Sequence, residues 1–121
     1  MRMLFKALVI GLLTTQVTHA NAGEIMAKEV TEIVIFKVSD PEAGMEAARL
    51  IVEDAKAFNN AIVSAEIYQS ASDPNTIAQR ITWTSIEEAK SAFEASPSFP
   101  NMEKAMAVMT EQVLFDHFYL K

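Results

Sequence analysis

The reading of this chain turns on TIAQRITWTSIEEA, residues Thr76 to Ala89. Ile77, Gln79, Ile81 and Trp83 fall on one face, and Ala78, Arg80, Thr82 and Thr84 on the other. That is the period of two a pleated strand imposes. Ser85, followed three residues later by Glu88, then has the spacing of a capping box, in which each side chain satisfies an orphan backbone N–H of a new helix. The stretch is a strand that runs directly into a helix, with the only tryptophan, Trp83, at the junction.

The same pattern recurs upstream. Residues 29–38 (EVTEIVIFKV) read as a first strand, with Val30, Glu32, Val34, Phe36 and Val38 on one face. Ile33 and Ile35 share the other face with Thr31 and Lys37, so both faces of this strand require cover. Ser39-Asp40-Pro41-Glu42 ends it and opens a helix. Either Ser39 and Glu42 form a capping box, or Asp40 caps with Pro41 at the first helical position. Met45, Ala48, Ile51, Ala55 and Phe58 recur every three or four residues as the apolar stripe of that helix. Asn59-Asn60 reads as its stop, since asparagine tolerates the left-handed conformation.

Residues 61–69 (AIVSAEIYQ) form a second strand and residues 70–75 a polar turn into the third. The helix after Ser85 carries Ile86, Ala89 and Phe93 inward. It breaks at Ser96-Pro97-Ser98-Phe99-Pro100, because two prolines cannot both sit inside a continuous helix. Residues 101–109 resume helical spacing through Met102, Ala105, Met106 and Met109, and residues 112–120 (QVLFDHFYL) form a fourth strand. Residues 35–48 and 81–94 echo one another: a strand end, a serine, an acidic first turn and an alanine-rich helix.

The order β-α-β-β-α-β predicts an α+β, ferredoxin-like domain, a four-stranded antiparallel sheet with both helices on one face. Helices cover one face only. The apolar residues of the other predict a homodimer in which a second subunit covers it.

The chain's beginning reads differently. Arg2 and Lys6 precede a short apolar run at residues 7–13 (ALVIGLL), and Ala20-Asn21-Ala22 offers small-residue cleavage after Ala20 or Ala22. This is the pattern of a secretory signal peptide, too short for the roughly 20 apolar residues of a bilayer span. Residues 1–22 are therefore expected to be removed, leaving residues 23–121 as the mature domain, periplasmic or secreted, with no stable membrane anchor.

Loss of Arg2 and Lys6 leaves eight basic residues against sixteen acidic ones, a net charge of −8. Such a field does not favour nucleic acid or anionic lipid. The absence of cysteine excludes disulfides and thiolate catalysis. With His19 in the leader, the mature chain keeps one histidine, His117, so no multi-histidine metal site forms within one subunit. Three glycines leave nothing to build a phosphate-cradling loop.

The element order, the strand end Trp83-Thr84-Ser85, the run Ile86-Glu87-Glu88-Ala89 and the break Ser96-Pro97-Ser98-Phe99 together resemble the antibiotic biosynthesis monooxygenase-like domains. In these dimeric α/β-barrel proteins the third strand commonly ends in W-x-S followed by an acidic residue and alanine, and an S-P-x-F segment follows. The resemblance spans residues 29–121. It implies a cavity between sheet and helices, and oxidation of a small aromatic or quinone-type compound without a cofactor. Family members that oxidise such compounds often carry an H-x-x-S-P-H run; here Phe93 and Phe99 stand near the two histidine positions. The haem-degrading branch relies on an early first-strand asparagine, a tryptophan and a helix histidine. Only Trp83 has a counterpart, with Thr31 or Glu32 at the first position, and no cofactor is expected.

The residues themselves support two readings each. Trp83 is either a cavity wall that stacks on a flat ligand or a core tryptophan with its N–H bonded nearby. His117 shares a face, by alternation, with Val113, Phe115 and Tyr119. It is either a base that takes a phenolic proton toward an oxygen-reactive carbanion, or a histidine satisfied across strands or at the subunit interface. Tyr68 and Tyr119 offer hydrogen bonds to a ligand oxygen. Phe93, Phe99, Met102, Met106 and Met109 form a soft apolar stripe suited to a pocket or to core filling. The functional expectation is a monooxygenase-like domain with His117 as base and Trp83, Tyr68, Tyr119, Phe93 and Met106 around the substrate. The alternative is a non-enzymatic ligand-binding or interaction domain of the same fold.

Overall fold

A computed structural model describes residues 28–121 of the 121-residue chain; the leader read at residues 1–22 lies outside them. Eight segments follow in order: β1 (Val30–Val38), α1 (Pro41–Phe58), β2 (Ile62–Gln69), β3 (Thr76–Trp83), α2 (Ile86–Ala95), a 3₁₀ turn (Ser96–Ser98), α3 (Met102–Val108) and β4 (Met109–Phe118). The strands form one antiparallel sheet in the order β2-β3-β1-β4, the ferredoxin-like arrangement.

Local chemistry sets the boundaries. Asp40 caps α1: its carboxylate accepts from the Ala43 N–H at 2.8 Å, with Pro41 following where its missing N–H is harmless. Ser39 takes no part in that cap; its hydroxyl donates to the Val108 carbonyl instead. Ser85 caps α2 by accepting from the Glu88 N–H at 3.2 Å. The box is only half formed, because the Glu88 carboxylate accepts from Asn59 Nδ2 at 3.1 Å and so ties α2 to the end of α1. Asn59 itself is extended rather than left-handed (φ −150°, ψ 164°). Its side chain, which accepts from the Ala61 N–H, makes the exit turn without positive φ.

The proline-rich break becomes the 3₁₀ turn and a short connection, held by Asp54 of α1, whose carboxylate accepts from the Asn101 backbone and side-chain amides at 2.8–3.1 Å. β4 starts three residues earlier than the sequence suggests, since Met109 already pairs with Val38, and it ends before Tyr119.

All helices cover one face of the sheet. On that face β1 and β3 bury Val30, Val34, Val38, Ile77, Ile81 and Trp83. Gly44 on α1 lies where an added Cβ would meet Val38 Cγ1 and Cγ2 at 2.7 Å, so the helix is seated directly on the strand. Elsewhere the helices present Ala47, Ala48, Ala55, Ala89, Ala92 and Ala105 to the sheet. Alanines are too short to close the space between the layers, and a hollow remains. The opposite face carries Ile33, Ile35, Leu114, Phe118 and Tyr68 by register, with no covering element among the described residues.

Candidate functional site

The hollow is a cavity of about 790 Å³ between the sheet and the helices, within the range of small-molecule sites. Val34, Phe36 and Phe115 floor it, Phe93 and Phe99 wall it, and the alanine faces of α1 and α2 roof it. Its exposed rim is formed by Pro97, Glu103 and Met106, at the 3₁₀ turn and α3. Phe93 packs edge-on against Phe115 at 5.1 Å between ring centres.

One charged side chain interrupts the buried part of this wall. Alternation along β1 sends Glu32 to the helix side with Val30, Val34, Phe36 and Val38, and it is 8% exposed. A carboxylate so placed is costly unless it is paired and hydrogen-bonded. Register supplies both partners. His117 of β4 stands directly opposite Glu32, and its Nε2 lies 3.0 Å from Glu32 Oε1. Trp83, two residues along β3 from the Ile81 that opposes Glu32 on the other side, donates its Nε1–H to the same oxygen at 3.2 Å.

Indole can only donate, and an imidazole protonated at Nε2 donates too, so Oε1 is doubly occupied. Oε2 has no protein hydrogen bond among the described residues, and Glu32 lines the cavity. The carboxylate is thus clamped by one oxygen, with the other available. His117 Nδ1 is buried with no hydrogen-bond partner among the described residues, and the imidazole edge packs on Phe115 at 5.6 Å.

Two amides complete the polar lining. Gln79 donates from Nε2 to the Ala48 carbonyl at 3.0 Å, pinning β3 to α1. Gln112 enters from β4 with a buried Oε1 that has no hydrogen-bond partner among the described residues. Among the described residues no group of three His, Cys, Asp or Glu side chains could hold a metal ion, and no helix is long and apolar enough to cross a membrane.

Trp83, Phe93 and Met106 line the cavity. His117 is not on its wall; it reaches the cavity only through Glu32. Tyr68 opposes Ala78 on the far face of the sheet, 49% exposed, and cannot meet a ligand in the cavity. Tyr119 lies beyond the end of β4, packed at the edge of the core with the Lys28 ammonium 4.9 Å above its ring. Burial, with the Glu87 charge adding to it, pushes the Tyr119 hydroxyl's pKa above its ordinary value. Val113 does not share a face with Phe115, because β4 bulges there.

Glu32 was detectable as the only charge on an otherwise apolar strand face, a placement that requires a partner. Gln112 carried no such signal.

The arrangement of sheet and helices recurs in solved structures. The fold is that of the antibiotic biosynthesis monooxygenase-like proteins. SnoaB, a cofactor-independent oxygenase from Streptomyces nogalater, is similar at a TM-score of 0.67 and 18% identity over 78% of this chain and 95% of that one. A Nitrosomonas europaea protein carrying the antibiotic biosynthesis monooxygenase name gives 0.64 and 20% over 78% and 92%. PA3566 from Pseudomonas aeruginosa gives 0.61 and 16% over 80% and 98%. No protein-family model matches the sequence, and a search of curated proteins finds no significant match. With this monooxygenase-like fold, the hollow between sheet and helices is where the chain's own polar groups converge.

Proposed function

We propose that this chain is an exported, cofactor-independent monooxygenase-like protein that oxidises a small hydroxyl-bearing aromatic in the cavity, with Glu32 meeting the substrate. The observation that carries the reading is the clamped carboxylate: Oε1 held by Trp83 and His117, Oε2 without a hydrogen bond among the described residues, on a mostly apolar wall. His117 acts as a positioning residue for Glu32 rather than as the base itself.

In this reading the substrate hydroxyl gives its proton to Glu32 Oε2. The electron-rich ring then passes one electron to O₂, and the resulting pair combines at a ring carbon to give a hydroperoxide, which takes up the proton. Loss of water converts a CH₂ to C=O, with one oxygen atom in the product and one in water. The apolar wall excludes solvent from the anion while it reacts. Trp83 supplies a flat face against which the ring body stacks.

Oxygen uptake with a panel of quinols and anthrone-type phenols tests this. Glu32→Gln is expected to lower turnover about 10²–10⁴-fold, the usual contribution of a general base, while binding persists. Equal rates for the variant and the parent would overturn it.

A second reading, a binding domain without chemistry, is favoured by the cavity's having a single buried carboxylate. Ligand binding with no oxygen uptake across the panel would support it.

We further propose that two copies pack through the uncovered sheet face, where Ile33, Ile35, Leu114 and Phe118 supply the apolar area. Monomeric elution with light scattering at micromolar concentration would refute that. Export is tested by sequencing the N-terminus of the secreted protein, expected at Asn21 or Gly23.

A further inference from the structure

β4 reaches the cavity through an irregularity. Its pairing with β1 sets His117 opposite Glu32 and Phe115 opposite Val34, then skips Val113, so that Gln112 stands opposite Phe36. Opposed residues of an antiparallel pair project to the same face, and Phe36 lines the cavity. The bulge therefore places an amide on the wall where regular pairing would place a valine. Val113 itself is turned out, 51% exposed. Gln112 Oε1 is left buried without a hydrogen-bond partner among the described residues, an unfavourable state for an amide oxygen that packing alone does not explain. The other wall amide differs in that Gln79 is already anchored to the Ala48 carbonyl.

We propose that Gln112 is a ligand-binding residue that selects elongated aromatic molecules carrying a second hydroxyl at the end remote from Glu32. This rests on the reading of the cavity as a site for a hydroxyl-bearing aromatic. Glu32 and Phe36 are four residues apart on one strand, and Gln112 stands beside Phe36. At about 3.3 Å per residue the two polar groups lie roughly 13 Å apart along the sheet. Hydrogen bonds of about 2.8 Å at each end then set the ligand's hydroxyls about 7–8 Å apart. One ring is too short for that span, and two fused rings suit it. Glu32 Oε2 is an acceptor, and the Gln112 amide, turned toward the cavity, offers both a donor and an acceptor, so a hydroxyl suits each end. Between them the floor is apolar, through Val34 and Phe115.

The test titrates the exported protein with 2,6-dihydroxynaphthalene, 2-naphthol and hydroquinone by calorimetry. The parent protein is expected to bind the two-ring diol about tenfold more tightly than the two-ring mono-ol, the effect of one further hydrogen bond, and hydroquinone most weakly. Gln112→Leu, and Gln112→Met should the first variant fold poorly, are expected to abolish the diol preference while holding mono-ol affinity within about twofold, the small change left when no hydrogen bond is lost. Equal affinity of the parent for diol and mono-ol, a preference that survives in both variants, or no binding of any probe would overturn the proposal. A preference that depends on Gln112 in a protein consuming no oxygen with any quinol would leave this proposal standing and sink the oxygenase reading. Oxygen consumption with no dependence on Gln112 would do the reverse.

Discussion

Replacing His117 by leucine should be among the most destabilising single changes in the domain. The side chain is 1% exposed and its Nε2 lies 3.0 Å from Glu32. Removing one member of a buried pair leaves the other carboxylate facing low dielectric, which costs about 3–5 kcal/mol. The Trp83 N–H would remain as its only protein donor. Taking about 4 kcal/mol, and about 4–8 °C per kcal/mol for a domain of this size, the melting temperature should fall by roughly 15–30 °C. Glu32→Gln alone should cost only about 1 kcal/mol, since a neutral amide oxygen still accepts from both Trp83 and His117. The double variant removes the uncompensated charge, keeps an acceptor for Trp83 and should recover at least about 2 kcal/mol of the His117→Leu loss. Urea unfolding of the four proteins at pH 7, followed by the emission of the single tryptophan, measures each term. If the two single effects add to within about 0.5 kcal/mol, the pair is not coupled and the clamp described here is wrong.

Gly44→Ala should destabilise by about 1–3 kcal/mol, because the new methyl meets Val38 at 2.7 Å and α1 must lift from β1; the urea midpoint checks it, and an unchanged midpoint would mean the contact is not close. Asp73 accepts from the Thr76 hydroxyl at 2.7 Å and from the Lys37 ammonium and Asn75 amide at 3.1 Å, in that order of influence, which holds its carboxyl pKa below the ordinary 3.8. A depressed carboxyl contributes stability that is present above pH 3.8 and is lost as pH falls through its folded value. Asp73→Asn should therefore lower stability at neutral pH and flatten the acid limb of the stability–pH profile, and a limb of unchanged slope would count against the network. Tyr119→Phe should remove a tyrosinate absorbance step lying above pH 10, since burial and the nearby Glu87 disfavour the anion; stability tied to that hydroxyl is full below pH 10 and lost above it, so a step at or below pH 10 would contradict the placement.

Much of the fold was legible because local signals agreed. Asp40-Pro41 and Ser85 announce helix starts through chemistry that acts within four residues. The alternation of Ile77, Gln79, Ile81 and Trp83 matches their burial on β3. The reading weakened wherever a side chain's role depends on a distant partner. Glu88 has capping-box spacing, yet its carboxylate serves Asn59, twenty-nine positions away. Tyr68 looked chemically suited to a ligand, but register puts it on the opposite face. His117 was singled out as a candidate base, while the group standing between it and the cavity lies eighty-five positions away. The cavity itself follows from alanines on separate helices failing to fill a common space, and no short window of sequence contains that information.

β4 breaks register with β1 twice, at Val113 and again at Thr110, so Met109, Gln112, Phe115 and His117 form its inner row. The strand behaves like a text whose frame slips. Inserting or deleting one residue near a slip would exchange the inner row for the outer one over part of its length, trading Gln112 for Val113 without altering any residue type elsewhere. Variation among proteins of this architecture should accordingly show itself as length changes in the last strand as much as substitutions. An alignment that ignores those slips would compare wall residues of one protein with outward-facing residues of another.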